Sequence, residues 1–169
     1  MAKLVIAPEF SRVVRAHDVG GRPRTHELEA DAGERAALAG RFDLLALDNM
    51  AATLTLVREA ADIRLSGMVR AEGAQACVVT GDPVRFRLEA PVSLLLVQQA
   101  PAGEDVELGS DDLDVETLEG DIIDLGEWAS QALALALDPF PRSGKPAPGV
   151  LTEEQAAAAR SPFAMLRKP

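Results

Sequence analysis

The chain has 169 residues, 47% of them hydrophobic, which is enough to enclose one sizeable core and too little for several domains. Its net charge of −10 is lopsided: residues 1–90 carry 12 basic and 13 acidic side chains, residues 91–169 carry 5 and 14, and the carboxylates from Glu104 to Glu127 meet no Lys or Arg, which excludes that stretch as a phosphate-binding surface. A single cysteine excludes an internal disulfide, and one Cys with two His excludes an ordinary structural zinc site.

The chain opens with a short extended piece at residues 4–7, too brief for a secretory signal, and no apolar run nears the ~20 residues of a membrane helix. A soluble cytosolic protein is the expectation. Up to residue 26, Lys3, Arg12, Arg15, Arg22 and Arg24 face only Glu9 and Asp18, the one local positive excess. Arg12, Arg15, Arg22 and Arg24 are therefore the candidate phosphate contacts. The alternative is a charged surface segment, since only Phe10 supplies an interleaved aromatic. Gly20, Gly21 and Pro23 predict a turn, and RTHELEA after it predicts a strand.

Residues 31–42 read as a helix, with Asp31 as N-cap and Glu34 at the reciprocal position of a capping box. Ala37, Leu38 and Phe42 share its inner face, and Gly40 is placed to close it. From residue 44 to residue 97 the apolar period changes to two. Ile63, Leu65 and Val69 alternate with Arg64, Ser66, Met68 and Arg70, and Val84, Phe86 and Leu88 alternate with Arg85, Arg87 and Glu89. These are half-buried antiparallel strands, with a turn at Gly81-Asp82-Pro83.

Residues 101–121 read as an acidic loop with a short strand near residues 113–118. Asp124 then caps a helix over residues 125–137, with Glu127 three places on. Leu125, Trp128, Ala129, Ala132, Leu133 and Ala136 recur at three- and four-residue steps, and Leu135 and Leu137 extend the apolar surface almost all round, which predicts burial on most sides. Pro139 ends it. Residues 138–151 hold four prolines and two glycines and predict irregular chain. Thr152 and Gln155 can cap a short Ala-rich helix, and the chain closes on SPFAMLRKP.

Sharp chemistry is scarce. Cys77 has no neighbouring His to activate it and reads as a packed, inert thiol. His17 and His26 lie at no zinc-like spacing and read as exposed or locally bonded. The acidic stretch does not place oxygens and glycine in EF-hand order, and reads either as a solvated loop or as a docking surface for a basic protein. The tail residues Pro162, Phe163 and Leu166 form a candidate partner-binding motif, or one that folds back on its own domain. No phosphate loop, nucleophile elbow or paired catalytic carboxylates are present, so no enzyme, no metal and no cofactor are expected.

Three blocks carry a resemblance: QACVVTGDPVRFRLEAP at residues 75–91, DVETLEGDIIDLGEWASQALALALDPFP at residues 114–141, and the tail SPFAMLRKP. In order and spacing the chain resembles the bacterial large ribosomal RNA subunit accumulation family, YceD. It departs from many relatives, which carry Cys-x-x-Cys in the first block and cysteines after the long helix. Here the first block reads Cys77-Val78-Val79-Thr80 and PFPRSG holds no cysteine, so a metal proposed for such relatives does not carry over.

The whole reads as an α+β domain over residues 1–140: a mainly antiparallel sheet, open or partly closed into a barrel, packed by two or three helices, with loose segments at each end. Residues 141–169 form a Pro-rich linker, a short helix and the terminal motif. The resemblance implies a non-enzymatic ribosome-biogenesis factor that supports accumulation or processing of large-subunit ribosomal RNA by binding RNA, a ribosomal protein or a processing enzyme. A protein-only adaptor using its acidic loop, and an enzyme with an unseen site, are the alternatives. The sequence leaves the oligomeric state open.

Overall fold

A computed structural model describes residues 8–98 and 114–145, together with Gly149 and Glu153. The extended piece at residues 4–7, the acidic stretch 99–113, the Thr152 cap with its helix, and Pro162, Phe163 and Leu166 lie outside the described residues.

In chain order the elements are β1 (Val13–Arg15), a 3-10 turn (Ala16–Asp18), β2 (Arg24–Glu29), α1 (Ala32–Arg41), β3 (Leu44–Glu59), β4 (Asp62–Ala76), β5 (Pro83–Val97), β6 (Asp114–Thr117), β7 (Ile122–Asp124) and α2 (Leu125–Ala136). β2 to β6 form one sheet in sequence order, antiparallel except for the parallel β5–β6 pair. β1 and β7 pair separately as a short antiparallel ribbon. The fold is α+β, as the periodicity predicts. Among the described residues the sheet is open, with β2 and β6 as its edges, and is not closed into a barrel.

The period-two runs fuse into three strands of 15 or 16 residues. Ile63, Leu65 and Val69 are buried while Arg64, Ser66, Met68 and Arg70 are not. The β3–β4 hairpin turns on Ala60, which adopts a left-handed φ of 55°. Gly73 sits opposite Phe86, and a Cβ there would stand 2.3 Å from the Ala46 carbonyl oxygen. The Phe86 ring lies over the gap the glycine leaves, a pairing that restores packed surface to the strand.

α1 forms with its capping box complete: the Glu34 amide donates to Asp31 and the Asp31 amide to Glu34, both at 2.9 Å. Leu38 is its fully buried residue and Phe42 packs at the core edge, but Ala37 faces solvent. Gly40 stays helical; the left-handed residue that closes the turn is Asp43.

α2 starts as predicted, with Asp124 accepting from the amides of Gly126 and Glu127 at 3.0 and 3.3 Å. It buries Leu125, Gly126, Ala129, Ser130 and Leu133, which is one face and not most of its circumference. Leu135 is 89% exposed and Trp128 is half-buried at the core margin. The reason is geometric: the sheet offers α2 one face to cover, so apolar residues beyond that stripe pack on nothing among the described residues.

Candidate interaction surfaces

The predicted arginines part company. Arg12 grips Glu34 with both terminal guanidinium nitrogens, at 2.7 and 3.0 Å, and the same two nitrogens also donate to the Ser11 and Glu29 carbonyls. Its amide donates to Asp124 at 2.8 Å, the Ser11 hydroxyl donates to the other Asp124 oxygen at 2.6 Å, and the Leu125 amide returns a bond to the Arg12 carbonyl at 2.9 Å. Residues 11 and 12 are thus fastened between the starts of both helices. The hydrogen bonds from Arg12 hold the Glu34 carboxyl below its ordinary pKa, against the opposing effect of burial.

Arg15 lies 3.9 Å from Asp121, near enough to attract but beyond a hydrogen bond. Arg22 and Arg24 are exposed on the turn into β2 and make no ion pair among the described residues. His17 bonds Asp121 through Nδ1 and its amide, while His26 lies on β2 opposite Leu54; the two histidines do not meet.

Two further arginine posts have no local sign in the sequence. Arg41 clamps Glu127 with two bonds of 2.9 and 2.8 Å and reaches Glu9 at 3.1 Å, tying α1 to the first turn of α2. Arg41 draws the Glu127 carboxylate away from the capping box its spacing suggested, and holds its pKa low. Arg58 donates to the Val19 carbonyl at 2.9 Å and to that of Ala16, pinning the turn after β1. On the outer sheet face Arg64, Arg70, Arg85 and Arg87 pair with Glu59, Glu89, Asp48 and Glu72. Such exposed pairs add little stability, but they leave that face electrically balanced.

Cys77 is buried where the β4–β5 connection meets the chain leaving α2. The Val78 amide donates to Pro141 at 2.9 Å, the Ser143 amide to the Cys77 Sγ at 3.3 Å, and the hydroxyls of Thr80 and Ser143 lie 3.3 Å apart. Lys145 pairs with Asp82 at 3.0 Å. Hydrogen bonds from Thr80 and then Ser143 bring the thiol down to about 6, against burial. The packed thiol is as the sequence suggests; its electrostatic setting is not. Thr80 is three residues from Cys77, but Ser143, which completes the setting, lies 66 residues away in a stretch of unremarkable context. One thiol and two hydroxyls are not a zinc donor set, so a metal of the kind proposed for Cys-rich relatives does not fit these residues.

A groove of about 660 Å³ runs between α2 and the β5–β6 edge. Val92, Leu94, Val115, Trp128, Ala132 and Leu135 form its apolar walls, and Glu89, Asp114 and Glu116 line it with carboxylates. Asp114 and Glu116 are exposed and unpaired among the described residues.

Among the described residues no helix is long and apolar enough to cross a membrane. No curated protein and no solved structure matches the chain. A family model described as large ribosomal RNA subunit accumulation protein YceD matches residues 65–167, which takes in the first two blocks that carry the resemblance and all but the last two residues of the third. With well over half its length matched, the chain belongs to the YceD family, whose description gives it a role in large-subunit ribosomal RNA accumulation.

Proposed function

We propose that this protein is a non-enzymatic cytoplasmic factor that supports accumulation of large-subunit ribosomal RNA by contacting a basic protein of the ribosome or of its processing machinery. The observation that carries this reading is the fate of its cations. Arg12, Arg41, Arg64, Arg70, Arg85, Arg87 and Lys145 are each spent on a carboxylate of the same chain, whereas Asp114, Glu116 and Glu119 stand exposed around the short edge strand β6. A surface of that sign attracts a lysine- and arginine-rich partner and repels RNA phosphate.

Photocrosslinking from position 116 in cells, followed by identification of the captured protein, tests the reading. A ribosomal or ribosomal RNA-processing protein is expected, and its capture should fall when Asp114→Lys is added. Deleting the gene should lower the ratio of large- to small-subunit ribosomal RNA, and a normal ratio would remove the ribosomal role. Direct RNA binding is the second reading, favoured by the exposure of Arg22 and Arg24 without a carboxylate partner among the described residues. RNA crosslinking that recovers large-subunit sequence, and loses it on Arg22→Glu with Arg24→Glu, would favour that reading instead.

A further inference from the structure

The geometry points to an occupant for the groove beside Trp128: the protein's own tail, residues 160–168, docked in cis. The groove pairs an apolar floor with an acidic rim, so it asks for a segment that is apolar in the middle and basic at both ends. In the tail, Phe163, Met165 and Leu166 are bracketed by Arg160 on one side and by Arg167 and Lys168 on the other. Those three cations are the majority of the five that follow residue 90.

The other nearby stretch of chain, residues 99–113, carries Glu104, Asp105, Glu107, Asp111 and Asp112 and no base. It is repelled by Asp114 and Glu116, the rim carboxylates without an ion pair among the described residues, and that difference in charge selects the tail. Leu135, 89% exposed, and Val115, 46% exposed, are large apolar walls that water otherwise covers. A methionine beside the indole of Trp128 adds a favourable sulfur–aromatic contact.

Reach is sufficient. The Lys145–Asp82 pair holds the chain at the start of β5. The groove begins at Glu89, about 20 Å along that strand, while the chain from residue 145 to residue 163 spans up to roughly 60 Å. The tether supplies an effective concentration of order millimolar, so a docking too weak to detect between separate molecules is still populated. This inference goes beyond the partner reading and stands without it. Where both hold, a basic partner gains the rim only by displacing the tail.

Crosslinking in the full chain tests it. In a Cys77→Ser background, Leu135→Cys with Met165→Cys is oxidised at low protein concentration and mapped by peptide mass. An intramolecular disulfide is expected at roughly ten times the rate of a control joining Met165→Cys to Leu45→Cys, because docking raises the local concentration of one thiol at the other. Adding Asp114→Lys with Glu116→Lys should remove most of that excess. A rate equal to the control, or disulfides formed only between two copies, would overturn the inference.

A second measurement keeps the native cysteine. Phe163→Ser with Leu166→Ser should shift the emission of the sole Trp to the red and raise its quenching by acrylamide several-fold. Unchanged emission and quenching would overturn the inference too. Neither readout depends on ribosomal RNA levels, so failure here leaves the partner reading untouched, and the reverse.

Discussion

Asp124→Ala should destabilise the protein far more than the loss of an ordinary helix cap. Asp124 accepts from two helix amides, at 3.0 and 3.3 Å, and from the Ser11 hydroxyl and Arg12 amide, at 2.6 and 2.8 Å. Losing the cap costs about 1 kcal/mol. The two donors from residues 11 and 12 lose a charged acceptor at a partly buried site, about 1 kcal/mol each. The total is about 3 kcal/mol, which for a chain of this size lowers Tm by about 6–12 °C. Urea unfolding followed by Trp128 emission measures it directly. Asp124→Asn, which keeps one carbonyl acceptor, should lose roughly half as much. In a double-mutant cycle Ser11→Ala should couple to Asp124→Ala by about 1 kcal/mol. A loss below about 1 kcal/mol for Asp124→Ala, or no coupling to Ser11, would refute the idea that this carboxylate fastens the N-terminal segment as well as the helix.

Gly126→Ala should also loosen that junction, because a Cβ there would stand 2.4 Å from the Phe10 carbonyl oxygen, and backbone must shift to admit it; a melting curve that matches the parent would contradict the close approach. Glu34 and Glu127 are held below the ordinary value of 4.5 by hydrogen bonds from Arg12 and Arg41, so their contribution to stability is complete above pH 4.5 and is lost as pH falls through their folded values. Equilibrium unfolding between pH 5 and pH 3 should therefore steepen in the parent and flatten in Glu34→Gln with Glu127→Gln. Cys77, an acid lowered from 9.0 to about 6, adds stability as pH rises from 6 to 9 and none below 6. Cys77→Ala should abolish that rise, and Ser143→Ala should move the thiolate absorbance titration upward.

What the sequence made legible was local. The Asp31–Glu34 box, the Asp124 cap and the alternation of Ile63, Leu65 and Val69 each rest on residues within one turn or one strand of each other, where spacing decides which way a side chain points. What it hid was long-range. Nothing near Arg12 or Arg41 in sequence names Glu34 or Glu127 as its partner, so Arg12 read as a free cation when it closes a helix junction. The Ala60-Ala61 turn carries no Asn-Gly or Asp-Gly signal of the kind that marks tight hairpins. α2 is buried less than its apolar pattern predicts for a related reason: periodicity gives the width of a stripe, and only the neighbouring sheet decides how much of it is covered.

The family match begins at residue 65, inside β4, yet the core that β4, β5 and α2 pack into is shared with residues that precede the match. β4 is paired along its length with β3, from Glu59↔Asp62 to Leu44↔Gln75, and α2 is anchored to residues 11 and 12. A chain starting at Leu65 loses Phe10, Leu28, Leu38, Met50, Leu54 and Leu56 from the shared core. At about 2 kcal/mol each that is about 12 kcal/mol of apolar burial, comparable to the whole stability of a typical domain, and it leaves the amides and carbonyls on one edge of β4 without partners. Such a fragment should show no cooperative unfolding transition by far-ultraviolet circular dichroism, and adding residues 1–64 as a separate chain should restore one. A fragment that melts cooperatively alone would mean that the matched region carries its own core and that the first half of this chain is an addition to it, contrary to the single core seen here.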